Sequence, residues 1–260
     1  MPRFAPHPER RPSLVAGASS GIGAATALAL ADLGHPVALG ARRVEKLEEL
    51  AAEIHGRGGS AFVHPLDVSE ESSVDEFVTA AEKEFGPAEI LVSGAGDIEF
   101  GLIHEMPPDR FLAQVGVHLA GAHRLAHRIL PGMIERQRGD FVLISSDSAD
   151  RPRPRTGAYS AAKAGLEAMA LQMRMELEGT GVRASLVRPG PTFTGMGMDA
   201  TPEAVGPVIE DWQRWGFARH PYMLRPSDLA AAAVTVVSAP RGVHFVLIEV
   251  QPEAPLRAAE

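Results

Sequence analysis

The sequence predicts a single doubly wound α/β domain over residues 13–252, a Rossmann-type parallel sheet of about seven strands with helices on both faces. Three observations predict it. Short apolar, β-branched segments alternate with longer stretches of helical period, the pattern of βαβ units. A glycine-rich turn, Gly17-Ala18-Ser19-Ser20-Gly21-Ile22-Gly23, follows the first of those segments and opens a helix. No linker-like low-complexity segment or internal repeat divides the chain.

The elements follow in order. Residues 13–16 form the first strand, and the Ala/Leu-rich run 24–33 continues the helix that the glycine turn opens. Residues 36–41 read as the second strand, and 44–55 as a helix with charges on its outer face. The third strand runs through 61–63 to 66–68, and a helix capped at Ser69 or Glu70 reaches Phe85. Residues 89–92 give strand four. A long helical stretch over 108–138 is expected to bend near Pro131, because an internal proline removes a hydrogen bond and clashes with the preceding turn. Strand five is 141–144, the next helix 156–178, and strand six 183–187. Regular periodicity lapses over 195–225, and a helix at 228–238 and a strand at 244–250 close the domain. Residues 1–12, rich in Pro, Arg and His, read as a loose tail without a hydrophobic signal region, and 253–260 as a C-terminal tail.

Composition narrows the function. The chain has 260 residues, 45% of them apolar, enough for a substantial core. No apolar run approaches the ~18–20 residues of a membrane span. The absence of cysteine excludes disulfides, thiolate metal sites and a cysteine nucleophile, and fits a cytoplasmic protein. A net charge of −8 argues against a nucleic-acid-binding surface.

Ligands of such sheets bind beyond the carboxyl ends of the strands, where the candidate residues fall. The Gly17–Gly23 turn suits a phosphate, since glycines admit a pyrophosphate and a helix N-terminus offers free N–H groups; a plain tight turn is the rival reading. Tyr159 and Lys163 stand four apart, on one helical face, where an ammonium can stabilise a phenolate and so equip the tyrosine to pass a proton.

Taken together, Gly17 to Gly23, Leu91-Val92-Ser93-Gly94-Ala95-Gly96, Ser146, Tyr159-Ser160-Ala161-Ala162-Lys163 and Pro189-Gly190-Pro191-Thr192-Phe193-Thr194 resemble the short-chain dehydrogenase/reductase family, in its single-domain branch with a Tyr-x-x-x-Lys active site. The resemblance runs from about Ser13 to Val250, and the separation of 13 between Ser146 and Tyr159 is typical of the family. It implies hydride transfer between a nicotinamide and a carbonyl or secondary alcohol carbon. Tyr159 would be the general acid or base, Lys163 would depress its pKa and bind the ribose hydroxyls, and Ser146 would hold the substrate oxygen. Ser93, Gly94, Ala95 and Gly96 would line the cofactor cleft, with Pro189, Gly190, Thr192 and Thr194 near the diphosphate or nicotinamide amide. Ser19, Ser20 and Ile22 belong to the phosphate turn. Where the family's NAD-binding members carry an acid after strand two, this chain has Ala41-Arg42-Arg43, a pattern favouring NADP(H), with NAD(H) possible. Asp67 and Val68 match the adenine-edge position.

The chain departs from the family pattern at Ala16, which replaces a threonine, and at Ser93-Gly94, which replaces an Asn-Asn pair. It departs again 28 positions before Ser146, where His118 stands for the fourth catalytic residue, an asparagine. A histidine can donate and accept, yet it titrates near ~6.5 and would repel Lys163 when charged. A working substitute, an impaired relay and a space-filling residue stay open. The alternative to an enzyme is therefore a divergent nucleotide-binding member with little turnover, acting as a binding or regulatory protein.

Other features carry less. His123 and His127, at helical spacing, lack a third ligand, so no metal is expected. Arg151, Arg153 and Arg155 form a basic loop that either attracts an anionic substrate or is simply solvated. The 195–225 segment, with Met196, Met198, Trp212, Trp215, Phe217, Tyr222 and Met223, reads as a lid over a partly apolar substrate or as a subunit-packing element. The strand ending Ile248-Glu249-Val250-Gln251-Pro252 resembles reductases of 3-hydroxy acids and similar small alcohols. The family's usual assembly is a homotetramer or homodimer built through the helices at 108–138 and 156–178.

Overall fold

The computed structural model describes residues 5–197, 201–217 and 220–256. Seven parallel strands form one sheet: β1 (Ser13–Ala16), β2 (Val37–Ala41), β3 (Ala61–Pro65), β4 (Ile90–Ser93), β5 (Gly139–Ile144), β6 (Val182–Pro189) and β7 (Leu247–Val250), in the order β3-β2-β1-β4-β5-β6-β7. The order reverses between β1 and β4, which run side by side with Ala16 opposite Ser93. That reversal opens a crevice at the carboxyl ends of both strands, where ligands of such sheets bind.

One face is covered by α3 (Glu71–Phe85), α5 (Gly121–Glu135) and α6 (Gly157–Glu176), packed around Phe77, Leu125 and Phe141. The other is covered by α1 (Gly21–Asp32), α2 (Val44–Gly56) and α8 (Pro226–Ser238), packed around Leu30, Leu39 and Val236. Because both faces are buried, β1, β2, β4 and β5 are buried along their whole length, the near-continuous apolar runs visible in the sequence.

Five expectations are corrected. The interruption of the long helix lies not at Pro131, which falls inside α5, but at a π-helical turn, Gly116–Ala120, between α4 (Pro108–Val115) and α5. Strand β3 stops at Pro65: the Leu66 N–H still reaches Ala41 O on β2, but the Asp67 N–H goes to Ser73 Oγ instead. Strand β7 begins at Leu247 rather than at His244, whose ring instead bonds Ala184 O at 2.9 Å. Residues 195–225 contain a helix, α7 (Pro202–Arg214), where periodicity was expected to lapse. Pro202 occupies its first turn, where the missing N–H costs nothing; Met198 lies outside the described residues.

The fifth concerns the tail. Arg11 is 2% exposed and anchors it: its guanidinium binds Asp140 on β5, the Glu89 carbonyl at 3.2 Å and the Val237 carbonyl at 2.9 Å. Arg183 grips the same Asp140 at 2.6 and 3.0 Å. A buried carboxylate shared by two arginines therefore ties residue 11 to β5, β6 and α8 at the amino end of the sheet.

Candidate active site

The glycine turn is built by close backbone approach. Gly17 has φ 87°, and a methyl group there would lie 2.6 Å from the Ala95 nitrogen, so this turn and the loop after β4 can meet only without a side chain. Gly23 is held equally close to the Gly17 carbonyl, which seats the start of α1 against the turn. Thr194 sits over Gly21, whose added Cβ would be 3.2 Å away. Ser93 ends β4, and the Gly94 N–H bonds Ala16 O at 3.0 Å. The turn, residues 93–96 and the segment after β6 therefore converge on the crevice. Ile22 is half-buried in the α1 face of the core, while Pro189 and Gly190 end β6 beside Val250. Thr192 spends its hydroxyl on Gly190 O at 2.8 Å.

Two arginines close the β2 end of the crevice. Arg43 donates to Ser19 Oγ at 3.1 Å and Ser20 Oγ at 2.8 Å, while Arg42 faces Asp67. Burial would raise the Asp67 carboxyl, but hydrogen bonds from the Ser69 hydroxyl and N–H outweigh it with help from Arg42 and Arg124, and the pKa is lowered. The Val68 side chain is core, and its carbonyl accepts from Arg124 at 3.2 Å.

Ser146, Tyr159, Lys163 and His118 come together beyond β5. Ser146 caps a 3-10 turn, Asp147–Ala149, with its oxygen accepting the Ser148 N–H at 3.1 Å, so its own proton is left to donate. The Tyr159 phenol is pushed up by burial, with the Ser146 hydroxyl pulling it down, Asp147 adding to the rise and Arg153 opposing it. The expected depression by Lys163 is not what the structure gives. The Lys163 ammonium lies 5.7 Å from the Tyr159 ring and donates to Ile144 O at 2.7 Å. Burial lowers its pKa to about 8, against the opposing pull of Glu167.

His118 occupies the π-helical turn, as local departures from α geometry at functional sites often do. Its ring meets Tyr159 edge-on at 5.1 Å, and Nε2 bonds Asp97 O at 2.6 Å. Room for it comes from Gly96, where a Cβ would fall 2.2 Å from the imidazole. Burial, then Lys163, lowers its pKa to about 3, so a charged ring that repels Lys163 does not arise near neutrality.

The same shift predicts acid sensitivity. The unfolded histidine takes a proton near ~6.5 and the folded one only near about 3, so the unfolded state binds more protons between them and stability falls with pH across that window. We expect His118→Asn to flatten the decline of Tm between pH 6.5 and 4 measured by thermal unfolding; an unchanged slope would contradict the burial of a neutral ring.

Sequence reasoning missed two residues, Glu167 and Asp147, and the role of a third, Arg153. Glu167, one turn beyond Lys163, accepts from Ser145 Oγ at 2.6 Å and from Arg188 at 2.6 and 2.9 Å; the i, i+4 spacing was its available signal. Asp147 and Arg153 form a fork-to-fork pair at 2.6 and 2.7 Å, and only the fold brings that pair to Trp212. The basic loop is thus paired internally rather than held open for an anion: exposed Arg151 pairs with Glu249, Arg153 with Asp147 and Arg155 with Asp211. His123 and His127 stack on each other at 6.2 Å, and no metal-ligating group of three or more side chains is present among the described residues.

With this geometry in place, residues 13–204 match the family model described as short chain dehydrogenase. The chain belongs to the short-chain dehydrogenase family. Within that family it is 36% identical over 241 residues to the glycine betaine reductase ATRR of Emericella nidulans, a match covering 92% of this chain and 18% of that much longer protein. It is 30% identical to the 2,3-dihydro-2,3-dihydroxybenzoate dehydrogenase of Bacillus subtilis, over 90% of this chain and 91% of the relative. The solved alcohol dehydrogenase of the archaeon Thermococcus sibiricus, complexed with 5-hydroxy-NADP, superposes with a TM-score of 0.80 at 29% identity, over 95% of this chain and 100% of the other. This short-chain dehydrogenase thus shares its seven-stranded Rossmann-type architecture with oxidoreductases. Among its described residues, no helix is long and apolar enough to cross a membrane.

Proposed function

We propose that this protein is an NADP(H)-dependent oxidoreductase that interconverts a carbonyl and a secondary alcohol, with Tyr159 as general acid and base. The observation that carries the reading is the meeting of Ser146, Tyr159 and Lys163 at the carboxyl end of β5, beside the crevice framed by Gly17, Gly94 and Thr194.

The crevice fits a dinucleotide. Its glycine turn has no room for side chains at Gly17 and Gly23, the N-terminus of α1 faces it, and Arg42 and Arg43 line its β2 end. Gly21, Ile22, Ser19 and Ser20 would hold the pyrophosphate, and Arg42 and Arg43 a ribose 2′-phosphate. When bound, the cofactor supplies or accepts the hydride. The rest belongs to the chain. Ser146 donates a hydrogen bond to the substrate oxygen, and Tyr159, kept protonated by burial, passes its proton to that oxygen in reduction. Lys163, fixed by Ile144 O and favoured in its charged form by Glu167, places a positive charge behind the ring. The unpartnered His118 Nδ1 offers an acceptor in the same pocket, and a neutral imidazole can hold a water there. The exposed Phe193, Met196 and Met223 near α7 favour a partly apolar substrate, and exposed Leu112, Leu171 and Met175 on α4 and α6 favour a homodimer or homotetramer.

A panel of ketones and secondary alcohols, followed optically with NADPH or NADP⁺, tests the reading. Tight cofactor binding without any turnover would carry the regulatory alternative instead. The double variant Arg42→Ala/Arg43→Ala is expected to weaken NADPH binding by roughly 10–100-fold, since charge-assisted hydrogen bonds are worth about 1.5–3 kcal/mol, with NADH affinity little changed. A parent protein that prefers NADH would overturn the cofactor assignment.

A further inference from the structure

We propose that Arg153 is a positioning residue that couples helix α7 to the Ser146–Tyr159 pair, so that the seating of α7 sets the environment of the proton-transferring tyrosine. The proposal rests on the catalytic reading of Tyr159 but is carried by separate contacts. Arg153 is largely buried and joins both sides at once. Its guanidinium grips Asp147 at 2.6 and 2.7 Å and donates to Ser148 Oγ at 2.8 Å. The Ser148 N–H in turn bonds Ser146 Oγ at 3.1 Å, so Arg153 and Ser146 hold the same short turn.

The other side of the guanidinium lies against α7. It stacks over the Trp212 ring at 5.3 Å, and the Trp212 indole N–H donates to Pro154 O at 3.0 Å. One residue earlier on α7, Asp211 accepts from Arg155 at 2.7 Å. Arg155 holds a left-handed backbone, φ 63°, which non-glycine residues adopt uncommonly. Its carbonyl is fixed by the Gly101 N–H at 2.9 Å. The α7 helix is therefore latched to the loop joining Ser146 to Tyr159, by an ion pair, a stacked cation and an indole-to-carbonyl hydrogen bond.

The latch bears on Tyr159 through charge. The groups facing the phenol are Ser146 and Asp147 from the 3-10 turn, Arg153 from the loop, neutral His118 from the π-helical turn and Lys163 on its own helix. Asp147 disfavours the phenolate and Arg153, with the smaller effect, favours it, so the pair partly cancels while intact. Displacing α7 removes Trp212 from the guanidinium, loosens Arg153 and leaves Asp147 less opposed.

Tyrosinate absorbance reads this directly, without a substrate, because the chain has two tyrosines and the second, Tyr222, is exposed. In a Tyr222→Phe background, ultraviolet titration reports Tyr159 alone. Arg153→Met is expected to move that titration to higher pH by about one pH unit, a tenfold change in tyrosinate fraction, and Asp147→Asn to lower pH. Trp212→Leu should move it the same way as Arg153→Met and by less. If Arg153→Met does not fold, Asp147→Asn tests the pair from its other side. An unmoved titration in the Arg153 and Asp147 variants overturns the role of the pair, and an unmoved titration in Trp212→Leu alone overturns the coupling to α7. Neither result touches the assigned reaction, which falls if Tyr159→Phe turns over at the parental rate or if the parent turns over nothing in the panel.

Discussion

Tyr159→Phe is expected to lower kcat by about 10²–10⁴-fold, the range removed with a positioned proton donor, while NADPH affinity and Tm stay near the parental values. The substitution is sharp because the ring keeps every packing contact. Phenylalanine fills the same buried site, meets the His118 imidazole edge-on and leaves Lys163 on the Ile144 carbonyl. Only the hydroxyl goes, and Ser146 retains its bond from the Ser148 N–H. Steady-state rates with the best ketone of the panel, beside NADPH fluorescence titration, separate lost chemistry from lost binding. A loss in KM alone would make the tyrosine a binding residue, because an interaction used only in the transition state lowers kcat.

Asp140→Asn is expected to destabilise the fold by about 3–5 kcal/mol, because it leaves Arg11 and Arg183 facing a neutral amide in a buried site. At ~2–4 °C per kcal/mol for a chain of this size, Tm should fall by roughly 6–20 °C in thermal unfolding followed by circular dichroism. Glu89 lies 3.6 Å from the Arg11 Nε and softens the loss, which favours the lower end. The double variant Arg11→Met/Asp140→Leu should lose less than the sum of its single changes, since removing a buried pair together strands no charge. A Tm within about a degree of the parent for Asp140→Asn would mean that the pairs contribute no more than exposed ones do.

Much of the fold was legible because both sheet faces are covered. Buried strands such as β4 and β5 must be apolar throughout, and their run lengths show in the sequence. The glycine turn was legible because backbone contact at Gly17 and Gly23 admits no side chain. α7 was less so: Pro202, Gly206 and Pro207 resemble a loop, although Thr201-Pro202 is a helix start and Val205, Val208, Ile209 and Trp212 follow at helical spacing. The π-helical turn has no periodic signal, since its one extra residue is set by packing His118 against Gly96 and Tyr159.

The sequence by itself determined the family and the parallel sheet and singled out Ser146, Tyr159 and Lys163 as candidates, because each depends on residues close in the chain or on motifs kept in order. The tertiary structure alone decided the charge state of the site. Arg153 meets Trp212 across 59 positions (212 − 153), and Arg11 meets Asp140 across 129. Burial makes His118 neutral and lifts the Tyr159 phenol. Desolvation and long-range pairing depend on which groups surround a side chain in space, and no spacing along the chain encodes that.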